Sequence, residues 1–164
     1  AGTHARDKDA VVASMLICEM AAYYKSQGKT LIDVMNGLYD EFGYYCNTVQ
    51  SYTFEGAAGM EKMAAIMDGL RDNKPSSFAG YEVTKIDDYK TSKSTIVKTG
   101  EESEITLPKS NVLAYTLTNG NKVIVRPSGT EPKIKAYITA IGQSEENAKE
   151  IAQRLLNDAN ELMK

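Results

Sequence analysis

Histidine is almost missing from this chain: His4 is the only one, so neither a histidine-based metal cluster nor a Ser-His-Asp triad can be assembled. Tryptophan is absent, and cysteine is limited to Cys18 and Cys46. Both stand in apolar surroundings and read as buried free thiols of a reducing compartment, not as a disulfide. No apolar run is long enough to cross a bilayer and no secretory signal is visible. A cytoplasmic protein with no membrane partner is therefore expected. Basic charge is not in excess either. The net charge of −3 argues against a nucleic-acid partner, which would need a basic face to neutralise phosphates. Otherwise the balance of 42% hydrophobic and 25% charged residues is that of an ordinary globular protein. The 164 residues allow one domain with a sizeable core, or a small domain with an appendage.

Proline is scarce too, yet two of the four prolines fall inside one short run, Arg126-Pro127-Ser128-Gly129-Thr130-Glu131-Pro132-Lys133. This run concentrates groups that bind anions. Arg126 offers a planar fork of N–H donors that fits two oxygens of one phosphate. Ser128 and Thr130 add hydroxyls, and Gly129 lets the backbone turn so that successive N–H groups face one point. Pro127 and Pro132 stiffen the loop, and Lys133 and Lys135 follow on one strand. An ordinary polar hairpin loop has no need for donors, glycine and prolines together. A P-loop is excluded, because no Gly-Lys-Ser/Thr ending is present and strands, not a helix, flank the run. The expectation is a strand–loop–strand anion clamp.

The periodicity predicts helices over residues 9–26 and 30–42. Gly28 stops the first, and Thr30 with Asp33 forms a capping box for the second. The wide apolar stripe through Val12, Leu16, Met20 and Tyr23 exceeds what two helices can bury between themselves. Residues 44–54 read as a strand or an extended connector, and 59–71 as a helix with Met60, Met63, Met67 and Leu70 on its inner side. From Tyr81 the period becomes two. Strands are expected over 81–86, 95–98, 112–117, 122–126 and 133–141, with a two-residue turn at Asn119-Gly120 and an exposed loop over 90–94. Ser144 caps a final helix whose buried stripe is Ile151, Ala152, Leu155, Ala159 and Leu162. The fold class is α+β: an antiparallel sheet with helices packed on one face. The expected division is a helical part over 1–43 and a sheet domain over 44–164.

The run from Arg126 to Pro132 resembles the phosphate-binding loop of the last domain of the α-D-phosphohexomutases, the phosphoglucomutase/phosphomannomutase family. Gly2-Thr3-His4-Ala5-Arg6-Asp7-Lys8-Asp9 is similar to the segment that follows the sugar-recognition loop in that family's third domain. Gly59-Met60-Glu61-Lys62 and Leu107-Pro108-Lys109-Ser110-Asn111-Val112 fit as well. The resemblance implies the end of the third domain followed by a fourth of TATA-box-binding-protein-like fold. It implies a parent enzyme that interconverts hexose 1-phosphate and hexose 6-phosphate through a phosphoserine and a hexose 1,6-bisphosphate intermediate. It also implies Mg²⁺ held by an Asp-x-Asp-x-Asp loop elsewhere in the parent, since no such motif occurs here. The implied partners are hexose phosphate and the preceding domains of the same polypeptide, and the fragment alone is expected to be inactive. Gly100-Glu101-Glu102-Ser103 spells the family's sugar loop but lies downstream of Lys8, where a solvated loop between strands is the better reading. Residue by residue, the resemblance gives a phosphate clamp of Arg126, Ser128, Gly129 and Thr130, with Lys135 on the following strand. Lys8 would be a further substrate contact; the competing reading is an ion pair with Asp7 or Asp9. Residues 44–52 would be the interdomain hinge. A stand-alone anion-binding or regulatory module is the alternative function.

Overall fold

A computed structural model describes residues 8–56 and 58–163. The motif over residues 2–7 and His4 within it lie outside the described residues. The chain divides into two compact units, Ala1–Gly43 and Tyr44–Lys164.

The first unit is a pair of helices, α1 (Ala10–Ser26) and α2 (Leu31–Phe42). The Asp9 carboxylate caps α1 by accepting the Val12 N–H at 2.9 Å. The α2 capping box is complete: the Asp33 N–H donates to Thr30 Oγ1 at 3.2 Å, and the Thr30 N–H donates to Asp33 Oδ2 at 2.7 Å. Donation from the Thr30 hydroxyl, and then from its backbone N–H, holds the Asp33 carboxyl below the usual carboxylate pKa. Neither helix buries a single residue. Val11 and Ile32 are each 72% exposed, and Met15, Ile17, Leu38 and Phe42 are exposed as well. Cys18, expected to be buried, is exposed for the same reason: the apolar stripe around it has no cover within this unit. Cys46 is half-buried, and both thiols are free.

The second unit is the expected antiparallel sheet with helices on one face. Its strands are β1 (Tyr44–Thr53), β2 (Ser77–Phe78), β3 (Tyr81–Asp88), β4 (Lys93–Ile96), β5 (Glu102–Glu104), β6 (Leu113–Leu117), β7 (Lys122–Pro127) and β8 (Lys133–Gly142). Seven of them run in the order β1-β8-β7-β6-β3-β4-β5, and β2 pairs beside β3. Helices α3 (Gly59–Asp72) and α4 (Glu145–Leu162) supply Met63, Met67, Leu70, Ile151, Ala152, Leu155 and Ala159 to one core. They meet the inward residues Val123, Val125, Ile134, Ala136, Ile138 and Ala140. The period of two thus works as expected: every second residue of β7 and β8 enters the core, and those between face away. Tyr115 on β6 is fully buried and donates its hydroxyl to the Leu70 carbonyl at 3.3 Å, and burial pushes its phenol pKa well up.

Several expectations need correction. Of the two readings of residues 44–54, strand or extended connector, the strand holds. Residues 44–53 form β1, an edge strand paired with β8 from Tyr44↔Gly142 to Thr53↔Lys133. The segment Glu102–Glu104 is a strand and not wholly a loop: it pairs with β4, and the chain turns between them with Gly100 at φ 71°. That turn also places β4 at Lys93–Ile96, earlier than expected, and shortens the loop before it. The Asn119-Gly120 turn does use two positive φ values, 66° and 78°, but it forms a three-residue 3-10 turn, Thr118–Gly120, closed by the Leu117 N–H to the Asn121 carbonyl at 2.8 Å. Met60 is exposed, because the stripe that meets the sheet runs Gly59, Met63, Met67, Leu70. At the end of α4 the buried residue is Met163, at i+4 from Ala159, in place of Leu162.

Candidate functional site

The loop between β7 and β8 is shaped by its own hydrogen bonds. The Ser128 N–H donates to the Lys133 carbonyl at 2.7 Å, and the Lys133 N–H donates to the Glu131 carbonyl at 2.7 Å. Ser128 Oγ accepts from the N–H groups of Thr130 at 3.3 Å and Glu131 at 3.2 Å. The two N–H donations fill the acceptor side of this hydroxyl, which leaves its O–H free to donate outward. From below, the Phe54 N–H at the end of β1 donates to the Pro132 carbonyl at 2.9 Å. The Glu131 carboxylate turns back to Lys133 Nζ at 3.0 Å, so the one acid of the loop is engaged within it.

The result is a cavity of about 280 Å³ lined by Arg126, Pro127, Ser128, Gly129, Thr130, Lys135 and Tyr137. Its lining contains two cations, several donors and no carboxylate. Arg126 and Lys135 are exposed and stand directly opposite each other across the β7–β8 ladder, on the face turned away from the core. Like charges in facing positions are unfavourable unless an anion lies between them. Neither side chain forms an ion pair among the described residues. The two strands hold the cations on a rigid support, and the loop sets the neutral donors beside them.

The structure therefore brings together five of the six residues marked by the sequence: Arg126, Ser128, Gly129, Thr130 and Lys135. Lys8 lies in the first unit, exposed, next to the cap of α1. Gly129 plays a different part from the one expected. It is not among the residues with positive φ, and a Cβ placed on it would meet nothing within 4 Å. The turn does not need glycine; what glycine leaves there is clearance on the open side. Tyr137 was missed as a lining residue, although its place two residues after Lys135 on an alternating strand signals it.

The match to known proteins covers this same unit. Residues 61–158 match the family model described as the C-terminal domain of phosphoglucomutase/phosphomannomutase. The chain belongs to the phosphoglucomutase/phosphomannomutase family. It is 36% identical over 152 residues to a phosphoglucomutase of Staphylococcus haemolyticus, covering 93% of this chain and 27% of that protein. To a phosphoglucomutase of Staphylococcus aureus it is 42% identical over 134 residues, covering 82% of this chain and 24% of that protein. The chain thus spans about a quarter of the length of these curated relatives. Among solved structures, the open form of pp63/parafusin, a phosphoglucomutase from Paramecium, superimposes with a TM-score of 0.60 at 18% identity, over 98% of this chain and 28% of that one, a likeness of fold. No group of three or more His, Cys, Asp or Glu among the described residues could hold a metal ion, so these residues do not fit the Mg²⁺ that the family resemblance implies. No helix of the described residues is long and apolar enough to cross a membrane.

Proposed function

We propose that this chain provides the substrate-phosphate clamp of a cytoplasmic phosphoglucomutase/phosphomannomutase, in which residues 44–164 form the clamp domain. The parent enzyme interconverts hexose 1-phosphate and hexose 6-phosphate through a phosphoserine and a hexose 1,6-bisphosphate intermediate, with Mg²⁺ held outside this chain. The observation that carries this reading is the acid-free cavity in which Arg126 and Lys135 face each other across two paired strands.

In this reading the Arg126 guanidinium grips two oxygens of the phosphate that is not reacting. Lys135 adds a compact charge without a fork. The Ser128 O–H donates to a third oxygen, since its own oxygen is already engaged by two N–H groups. Gly129 lets the phosphate approach the backbone, and the Thr130 hydroxyl closes the rim. Such a grip supplies binding energy away from the reacting phosphoryl group and fixes the sugar's orientation. A hexose bisphosphate has a phosphate at each end, so one clamp serves both halves of the cycle. The alternative, a stand-alone anion-binding or regulatory module, shares the same clamp; the uncovered apolar residues of α1 and α2 favour a domain of a larger enzyme.

The test is a titration of the full chain with inorganic phosphate, followed by amide chemical shifts. A few exposed charge-assisted hydrogen bonds imply roughly millimolar affinity, with shifts centred on residues 126–137. Shifts that map elsewhere would remove the site. The chain alone should show no turnover of glucose 1-phosphate with Mg²⁺ and catalytic glucose 1,6-bisphosphate, and sustained turnover would overturn the division of labour.

A further inference from the structure

The clamp loop is not held by its own bonds alone. Gly59, the first residue of α3, is buried directly beneath it. A Cβ on Gly59 would collide with the Phe54 carbonyl oxygen and would stand 3.0 Å from Pro132 Cβ. Phe54 is the link in this stack. Its carbonyl oxygen occupies the space that a Cβ on Gly59 would need, and its N–H donates to the Pro132 carbonyl at 2.9 Å. Pro132 in turn ends the loop that carries Ser128, Gly129 and Thr130. The geometry points to Gly59 as a positioning residue for the anion clamp, acting through the Phe54 backbone and Pro132. This rests on the clamp reading of the loop.

Two observations separate this role from ordinary helix architecture. Gly59 is not at φ > 0, and no side chain caps the start of α3, so neither turn geometry nor capping calls for glycine at this position. Gly69 of the same helix, by contrast, has nothing within 4 Å of an added Cβ. A methyl group at Gly69 costs nothing in space and raises helix propensity. A methyl group at Gly59 must push Phe54 away from α3, and the loop is fastened to Phe54. Interiors do not absorb such a displacement locally, because they are close-packed. The loop donors then shift relative to Arg126 and Lys135, which stay anchored on β7 and β8. Misplacement of a binding group by a fraction of an ångström to 1 Å is costly in affinity.

The experiment compares Gly59→Ala, Gly69→Ala and wild type as full chains. Without ligand, Gly59→Ala should move the amide shifts of residues 128–133, whereas Gly69→Ala leaves them in place. With inorganic phosphate, Gly59→Ala should bind about tenfold more weakly or worse, and Gly69→Ala should bind as wild type. Leu155→Ala serves as a destabilised control that leaves the loop alone, and its phosphate affinity should be unchanged. A folded Gly59→Ala chain with wild-type loop shifts and affinity overturns the assignment. Should Gly59→Ala fail to fold, hydrogen exchange in wild type decides. Saturating phosphate should slow exchange of the Phe54 amide, and an unaltered rate there overturns the coupling. If wild type itself shows no phosphate binding, the clamp reading has failed, while the ligand-free loop shifts still report on Gly59.

Discussion

Arginine and lysine carry the same charge, so exchanging them at position 126 isolates geometry. Arg126 is exposed, held on β7 opposite Lys135, and forms no ion pair among the described residues. Its fork is therefore available for two hydrogen bonds to one phosphate. Each charge-assisted bond contributes about 1.5–3 kcal/mol, and solvent exposure selects the lower end. Arg126→Lys keeps the charge but loses the second aligned donor, about 1.5 kcal/mol, which is roughly a tenfold rise in Kd. Arg126→Ala loses both, about 3 kcal/mol, and takes a millimolar site out of the measurable range. Stability should change by no more than about 0.5 kcal/mol in either variant, since the side chain is on the surface. Removing one of two facing cations relieves repulsion, which favours the alanine variant slightly. The assay is a phosphate titration at fixed ionic strength, read by amide shifts, with urea unfolding in parallel. Equal Kd for wild type and Arg126→Lys would refute the fork and reduce the site to net charge.

Gly129→Ala should fold as wild type, because its backbone has no positive φ and the added methyl meets nothing; its phosphate affinity should fall, and unchanged affinity would show that nothing approaches the loop there. The depressed pKa of Asp33 means that its contribution to the start of α2 is fully present above the unfolded carboxylate value of about 4 and is lost as pH falls through the lower folded value. Protection of the Thr30 amide should decline over that acid range in wild type and be independent of pH in Asp33→Asn. A chain starting at Tyr44 should keep the sheet, α4 and phosphate binding, while the full chain self-associates more strongly through the apolar residues of α1 and α2. Light scattering and hydrogen exchange would check this; strong protection of residues 1–42 in a monomer, with the sheet unfolding on their deletion, would show that they belong to one core.

Local signals were legible in the sequence because their causes are local. The capping box of Thr30 and Asp33, the Ser144 cap and the alternation of β8 each depend on residues within one turn or one strand. The same is true of the clamp: Arg126 to Thr130 lie in one run, and Lys135 faces Arg126 because a short loop joins their strands. Tertiary structure alone decided what depends on distant partners. The pairing of residues 44–53 with β8 decided between strand and extended connector, and nothing within those residues names their partner. The choice of Met163 over Leu162 depends on where the sheet lies beneath α4. The role of Gly59 is the clearest case. In sequence it is a small residue at the start of a helix; in space it is the point where α3, the end of β1 and the clamp loop come closer than a side chain allows. Hydrogen-bond periodicity is written along the chain, whereas the room for a methyl group is set by atoms that the chain brings together only on folding.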